Sequence, residues 1–331
     1  MKRAFISRAA ALSVIVSASM GTALATPTYN IQNVQFPTDL AFTQLLGINN
    51  AGTIAGFHGA VVTQGFTLTL PHTFTSQNFP GSVTSLATAI NGAGSTAGIY
   101  QDGGGTTHGY TQMGGLFSTV DQPGTVFNQA LGINDSNTTV GYFAADKAGQ
   151  TGQSAYRQSG GVFTNLNALL PTNQNSQAVG INNAGNIVGF YMPAATTSIG
   201  FLEVGGAISM LDPFGSAFTQ ALGISNTGEI VGIYADAGGV QHGYTEVGGV
   251  FSSFDPIGSI TTTVNGVNDR GQFVGFYTDA TNNVIGFAAT PLPEPGSFAL
   301  VSAGLLGLTG IYRRRGRRLA TKLKDVVALR V

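Results

Sequence analysis

Between residues 40 and 290 the chain alternates short apolar runs with polar turns, and the runs recur. Each cycle opens on an apolar segment that ends in a branched aliphatic residue, usually followed by Asn. The pairs are Ile48-Asn49, Ile90-Asn91, Ile133-Asn134, Ile181-Asn182, Ile224-Ser225 and Val267-Asn268. Their spacings are 42, 43, 48, 43 and 43 residues. A fixed period near 43 belongs to propeller blades and to some helical arrays. Glycine sits inside every apolar run and Glu, Lys and Arg are scarce, which disfavours helices.

Each copy reads as four short strands. The first ends at the aliphatic-Asn pair. A turn follows that closes on Gly52, Gly94, Gly185, Gly228 or Gly271, with Asn137 in the third copy. Asn is the next-best residue after Gly at positive φ, so the exchange predicts a hairpin with a left-handed position. The second strand is of the Ile-Val-Gly-Phe-Tyr type. The third contains Gly65-Phe66, Gly109-Tyr110, Ala155-Tyr156, Gly200-Phe201, Gly243-Tyr244 or Gly286-Phe287. Gly-Gly at 114–115, 160–161, 205–206 and 248–249 signals a tight hairpin into the fourth strand, which ends in Asp255-Pro256 or its equivalents. The last copy stops after its third strand, and an unattached strand at 29–36 precedes the first. The expected architecture is an all-β, six-bladed β-propeller of four-stranded repeats closed by the N-terminal strand. An open β-solenoid and a ring with another blade count are the alternatives.

The two ends carry a different signal. Lys2, Arg3 and Arg8 precede an apolar run at 9–20, and Ala23-Leu24-Ala25 fits an A-x-A cleavage site. Residues 1–25 thus read as a signal peptide, with the Sec translocon and signal peptidase as partners. At the other end, residues 291–296 form a Pro-rich linker, 297–312 a short transmembrane helix and 313–331 a basic cytoplasmic tail opening on Arg313, Arg314, Arg315, Arg317 and Arg318. The apolar run, ~22 Å long as a helix, is short for a ~30 Å hydrocarbon core. The arginines hold its C-terminal end on the cytoplasmic side. An ordinary tail anchor is the alternative. The order Pro293-Glu294-Pro295, short apolar helix, Arg cluster resembles the PEP-CTERM sorting signal. That resemblance implies export through an inner-membrane intermediate. It also implies recognition of Pro293, Glu294 and Pro295 by an exosortase-type enzyme, and a final place at the cell surface or in the extracellular matrix. The repeat domain, residues 26–290, resembles over roughly residues 40–290 the extracellular HAF family in degenerate form, with His108-Gly109-Tyr110, Ser154-Ala155-Tyr156 and His242-Gly243-Tyr244 at its third element. The family implies an exported, repeat-built surface protein and supplies no catalytic residues.

Charge narrows the function classes. Of the 14 Lys and Arg, only Lys147, Arg157 and Arg270 lie between residues 26 and 292, against thirteen acids, a formal charge of −10. Three cations cannot neutralise a nucleic-acid backbone, so nucleic acid is excluded as a partner. Cysteine is absent, which removes disulfides and Cys-based metal sites.

The remaining acids mostly recur. Asp102, Asp146, Asp236 and Asp279 lie in the loop after the second strand. Asp121, Asp212 and Asp255 close the fourth. Recurrence points to turn formation through side-chain to backbone bonds. In an antiparallel four-strand unit these seven share one face, while the Asn-x-Gly and Gly-Gly turns share the other. Such a face is a weak Ca²⁺ candidate and a possible bridge to anionic exopolysaccharide; no other cofactor is expected. His108 and His242 occupy equivalent positions in copies two and five, on opposite sides of a six-fold ring, and read with His58 and His72 as strand or loop positions without function. No catalytic residue is assigned. A glycan-active hydrolase is the alternative, and Asp39, Glu203 or Glu246 would have to carry it, because glycoside hydrolysis needs paired carboxylates in unlike environments. The expected function is a non-enzymatic surface or matrix protein that binds or organises exopolysaccharide.

Overall fold

Each copy folds as an antiparallel meander because its first turn is written into the sequence. In the computed structural model, which describes residues 28–171, 175–194 and 196–292, the Asn49 side-chain Oδ1 accepts the backbone N–H groups of Ala51 and Thr53 at 3.1 and 3.0 Å. Asn91, Asn134 and Asn268 repeat this double acceptance. The Asn thus builds the turn that reverses the chain. The turn closes on a left-handed residue, Gly52 at φ 85° or, in the third copy, Asn137 at φ 56°, as the sequence predicts.

The strands follow in order. The N-terminal strand is β1 (Tyr29–Val34). Copy one is β2 (Thr43–Ile48), β3 (Thr53–His58), β4 (Gln64–Thr69) and β5 (Thr73–Ser76). Copy two is β6 (Thr84–Ile90), β7 (Thr96–Gln101), β8 (Thr107–Met113) and β9 (Leu116–Val120). Copy three is β10 (Phe127–Ile133), β11 (Thr139–Ala144), β12 (Ser154–Ser159) and β13 (Val162–Asn165). Copy four is β14 (Asn175–Ile181), β15 (Ile187–Ala194), β16 (Thr197–Val204) and β17 (Ala207–Leu211). Copy five is β18 (Thr219–Ile224), β19 (Ile230–Ala235), β20 (Gln241–Val247) and β21 (Val250–Phe254). The last copy is β22 (Ser259–Val267), β23 (Phe273–Asp279) and β24 (Val284–Pro291).

The expectation of six separate four-stranded blades is corrected by the sheet pairing. Four sheets are free-standing and four-stranded, β2–β5, β14–β17, β18–β21 and β22–β24 with β1. Copies two and three run together in one eight-stranded sheet. A single parallel pair, Phe127 with Thr107, makes the junction. Equivalent bridges, Ser198 with Phe218 and Val284 with Phe42, recur at two other boundaries without extending into a ladder. The molecule is therefore a β-propeller of four discrete blades and one fused double sheet. The helix expected at 297–312 lies outside the described residues, as do the signal peptide 1–25, the motif at 293–295 and the basic tail 313–331. Among the described residues no helix is long and apolar enough to cross a membrane; two short 3-10 turns, Asn167–Leu169 and Pro213–Gly215, are the only helical segments.

Closure by the N-terminal strand is observed. β1 lies antiparallel to β24, from Tyr29 opposite Pro291 to Val34 opposite Gly286, and Val34 is buried. The pairing covers an edge of β24 that would otherwise present unpaired backbone groups.

The core explains the recurrent glycines. The third-strand aromatics Phe66, Tyr110, Tyr156, Phe201, Tyr244 and Phe287 are almost fully buried. Each lies over the glycine of its neighbouring second strand. A Cβ on Gly98 would stand 2.4 Å from the Tyr110 ring and 2.2 Å from the Leu86 carbonyl oxygen, so no larger residue fits. The Val-Gly and Gly-aromatic elements of the repeat are two halves of one packing contact.

Candidate functional site

The two ends of the ring are built differently. At one end the Asn turns lock neighbouring copies to each other. The Nδ2 of Asn49 donates to the Asn91 carbonyl at 3.0 Å, Asn91 to Asn134 at 3.0 Å, Asn134 to Asn182 at 3.1 Å, and Asn182 to Ser225 at 3.2 Å. Asn268 donates to Asn49 at 3.1 Å across the chain's closure. Ser225 has no amide to pass the ring on to Asn268; its hydroxyl instead bonds Thr227 and caps the Glu229 N–H. A second, outer ring uses the next residue of each turn. The N–H of Asp135 donates to Asn183 Oδ1, Asn183 to Asn226, Asn226 to Asp269 and Asp269 to Asn50, at 2.7–2.9 Å. Its interruption falls at Gly92, which has no side chain to receive a bond. Apart from these two gaps, neighbouring copies engage each other around the ring, which makes this end a structural seal.

The other end carries the recurrent acids. Asp102 Oδ1 accepts the N–H groups of Gly104 and Thr106, and Asp236 Oδ1 those of Gly238 and Val240. Asp146 holds its loop through Gln150 and Thr151, and Asp279 through Thr281 and Asn283. The turn-forming role is thus observed for all four. Two of them are joined by histidine to the acid that ends the fourth strand. His108 Nδ1 lies 2.6 Å from Asp121 Oδ2, and its Nε2 lies 3.3 Å from Asp102 Oδ2. His242 repeats the arrangement with Asp255 at 2.7 Å and Asp236 at 3.5 Å. Asp102 with Asp121, and Asp236 with Asp255, therefore share a face. Asp212 takes part in no such bridge, because Ile199 stands where the histidine would be. In copy three, Ser154 and Asn167 take the same places as a neutral pair.

These bridges set the charge of the clusters. Burial works to lower the His108 imidazolium, but the hydrogen bonds and charges of Asp121 and Asp102 outweigh it and hold the ring above its ordinary value. The same balance raises His242. Asp102 and Asp236 are held below the ordinary carboxylate value, chiefly by the backbone N–H groups of Thr106 and Val240. His58 goes the other way: burial beneath the Phe36 ring, stacked at 3.6 Å, outweighs Asp39 and lowers it.

Aromatic rings complete the two clusters. Tyr100 stacks on His108 at 4.8 Å, and Phe79, from the connection after β5, stacks on Tyr100 at 3.8 Å. In copy five Tyr234 stacks on His242 at 5.2 Å, and Phe214 packs on Tyr234 at 4.8 Å. The copy-five platform is the open one. Phe214 is 56% exposed and stands at φ 60°, a backbone region that bulky side chains rarely adopt. The structure thus gives His108 and His242 a bridging contact that the sequence reading did not assign them. A signal was present: in both copies the histidine follows one Asp by six residues and precedes the other by thirteen.

The acids named for the hydrolase alternative each accept a backbone bond of their own neighbourhood, although Glu203 Oε2 is buried without a partner among the described residues. Asp39 accepts the N–H groups of Phe42 and Gly59. Glu203 and Glu246 are buried and cap their Gly-Gly hairpins at Gly206 and Gly249. Glu229 lies near Glu246; burial and that neighbouring charge push its carboxyl up. Among the described residues, no group of three or more His, Asp or Glu is arranged to hold a metal ion.

No family model and no curated protein matches the chain. Among solved structures, the gluconolactonase of Xanthomonas campestris is similar at 10% identity and a TM-score of 0.51, over 80% of this chain and 90% of that one. AofleA from Arthrobotrys oligospora is similar at 10% identity and a TM-score of 0.48, over 80% and 90%. A variant of the Aleuria aurantia lectin in complex with Fucα1-6GlcNAc is similar at 10% identity and a TM-score of 0.48, over 76% and 95%. At such identities the gluconolactonase likeness speaks for the propeller fold alone.

Proposed function

We propose that the chain is an exported, non-enzymatic protein of the cell surface or extracellular matrix that binds glycan through the aromatic clusters of copies two and five. The observation that carries the reading is the Phe214 platform. A sugar ring has an apolar C–H face and a rim of hydroxyls. An exposed aromatic face suits the first, and carboxylates beside it suit the second. Phe214 and Tyr234 supply the face; Asp236, Asp255 and the His242 between them supply the rim partners. Holding a non-glycine residue at φ 60° costs of order 1–3 kcal/mol, and half-exposed Phe214 recovers little of that by burial. The less open cluster of copy two would give one molecule a second contact with a polysaccharide, as a matrix organiser needs.

Binding of this kind needs no metal, since Asp236 is fixed by its own turn and Asp255 by His242. The test is retention on a glycan array, repeated with Phe214→Ala and His242→Gln. The reading expects a glycan hit that Phe214→Ala weakens at least tenfold with an unchanged melting temperature. An array without hits, or hits indifferent to both variants, would overturn it.

Export is the second half of the proposal, and the PEP-CTERM resemblance supports it. An exosortase-type enzyme would recognise Pro293, Glu294 and Pro295 in the chain delivered to the membrane, with the apolar run and arginines that follow in the sequence as the rest of the signal. Fractionation of Glu294→Ala in an exosortase-bearing cell is expected to leave the chain membrane-bound. Normal release of that variant would remove the sorting role.

A further inference from the structure

The axis of the ring holds a site that the glycan reading does not use. Each first strand carries a β-bulge at the same place, where the pairing register shifts between Leu45 and Gly47, Ala87 and Ala89, Ala130 and Gly132, Ala178 and Gly180, Ala221 and Gly223, and Val264 and Gly266. A bulge leaves one residue unpaired and re-aims its side chain. The unpaired residues are Leu46, Thr88, Leu131, Val179, Leu222 and Asn265, and all six line one axial cavity of about 420 Å³.

The glycine after the bulge explains how the walls approach. A Cβ on Gly223 would lie 2.3 Å from the Asn265 carbonyl oxygen, and one on Gly132 would lie 2.6 Å from that of Val179. At these glycines adjacent first strands touch backbone to backbone, while in copy two Ala89 takes the place. The Ile48-type residues of all six copies form its floor. Beneath them lies a separate dimple of about 70 Å³ lined by the Asn rings.

The chemistry of the walls is selective. No Asp, Glu, Lys, Arg or His lines the cavity, although the domain is acidic. Leu46, Leu131, Val179 and Leu222 make an apolar waist. Thr88 and Asn265 spend their polar groups on the Ala130 and Leu45 carbonyls of neighbouring strands. Gln44 and Gln220, near the strand starts, line the same cavity, and their carboxamides have no hydrogen-bond partner among the described residues. Cavities of roughly 300–1,000 Å³ with apolar walls and a few convergent polar groups are the usual form of small-molecule sites.

We propose that the axial cavity binds an uncharged amphiphilic small molecule. Its apolar body would lie at the Leu46–Leu131–Val179–Leu222 waist, and its amide or hydroxyl head would pair with Gln44 and Gln220. A charged head is excluded by the absence of any counter-charge in the wall, since an unpaired ion loses far more hydration than the cavity returns.

The probes are hexanamide and 1-hexanol, with hexanoate and hexylammonium as charged counterparts, read by ligand-observed NMR and by melting temperature on the chain. The proposal expects saturation transfer and a raised melting temperature with the two neutral probes and neither with the charged ones. Val179→Phe, which fills the waist, should abolish both effects. Gln44→Leu with Gln220→Leu, which leaves the waist open, should weaken hexanamide at least fivefold; it also serves if the filled variant fails to fold. No effect from either neutral probe, equal binding of the charged probes, or binding indifferent to the variants would each overturn it. Phe214→Ala should leave probe binding unchanged, so this site and the glycan clusters succeed or fail separately.

Discussion

The Asn end and the acid end of the ring use the same kind of residue to opposite effect. At both, a side-chain oxygen accepts two backbone N–H groups of its own turn, as Asn91 does for Ala93 and Ser95 and Asp236 for Gly238 and Val240. The Asn keeps a spare donor and spends it on the next copy. The Asp has only acceptors left, so it turns to His108 or His242 within its own copy. A one-atom-group exchange decides whether a turn staples the ring or leaves a charged, ring-lined surface open to solvent.

The comparison can be broken most severely at the closure on which both ends depend. Deleting residues 29–34 removes the strand that covers β24 and should replace a single cooperative melt with aggregation. A calorimetric transition that survives the deletion unchanged would mean the ring does not depend on β1.

At the Asn end, Asn134→Ala removes three hydrogen bonds and strands buried backbone groups, an expected loss of about 3 kcal/mol in denaturant unfolding. The equivalent substitution at the acid end, Asp236→Ala, should shift the midpoint by much less, because water replaces the lost acceptor. Equal losses would erase the distinction between seal and surface.

The gap in the ring offers the reverse test. Ser225→Asn should complete the inner ring by donating to the Asn268 carbonyl while keeping both turn bonds. The expected gain is about 1 kcal/mol. A destabilised variant would show that the gap is imposed by local geometry rather than by the missing amide.

The smallest effect is a pH window peculiar to the acid end. The folded His108 and His242 lie above the ordinary 6.5, so their contribution is full below that value and is lost as pH rises through the folded value. The folded Asp102 and Asp236 lie below 3.8, so theirs is present above 3.8 and is lost as pH falls through the folded value. Both contributions coexist between 3.8 and 6.5. The melting-temperature difference between the chain and His242→Gln should be greatest there and should fade toward alkaline pH. A difference that grows with pH would reverse the assignment.

The repeat, its four strands, its turns and the pairing of the N-terminal strand with the last copy were legible in the sequence, because each rests on local chemistry. Asn137 could be read as a left-handed residue without any structure, since only backbone sterics are involved. The seal at the Asn turns was legible only in part. The Asx turn is local, but the donation from Asn49 to Asn91 joins residues 42 positions apart, and nothing in the chain's order reveals where a spare amide points. The fusion of copies two and three into one sheet was not legible at all, since one parallel bridge between Phe127 and Thr107 depends on how two units settle against each other. The histidines show the boundary most clearly. Their offsets from two aspartates were on the page of the sequence, but the meaning of those offsets required knowing that a loop and a strand end come together on one face. Sequence determined which residues repeat, because repetition is a property of order. Tertiary structure decided which repeats meet, because hydrogen bonds and stacked rings act over a few ångströms whatever the distance along the chain.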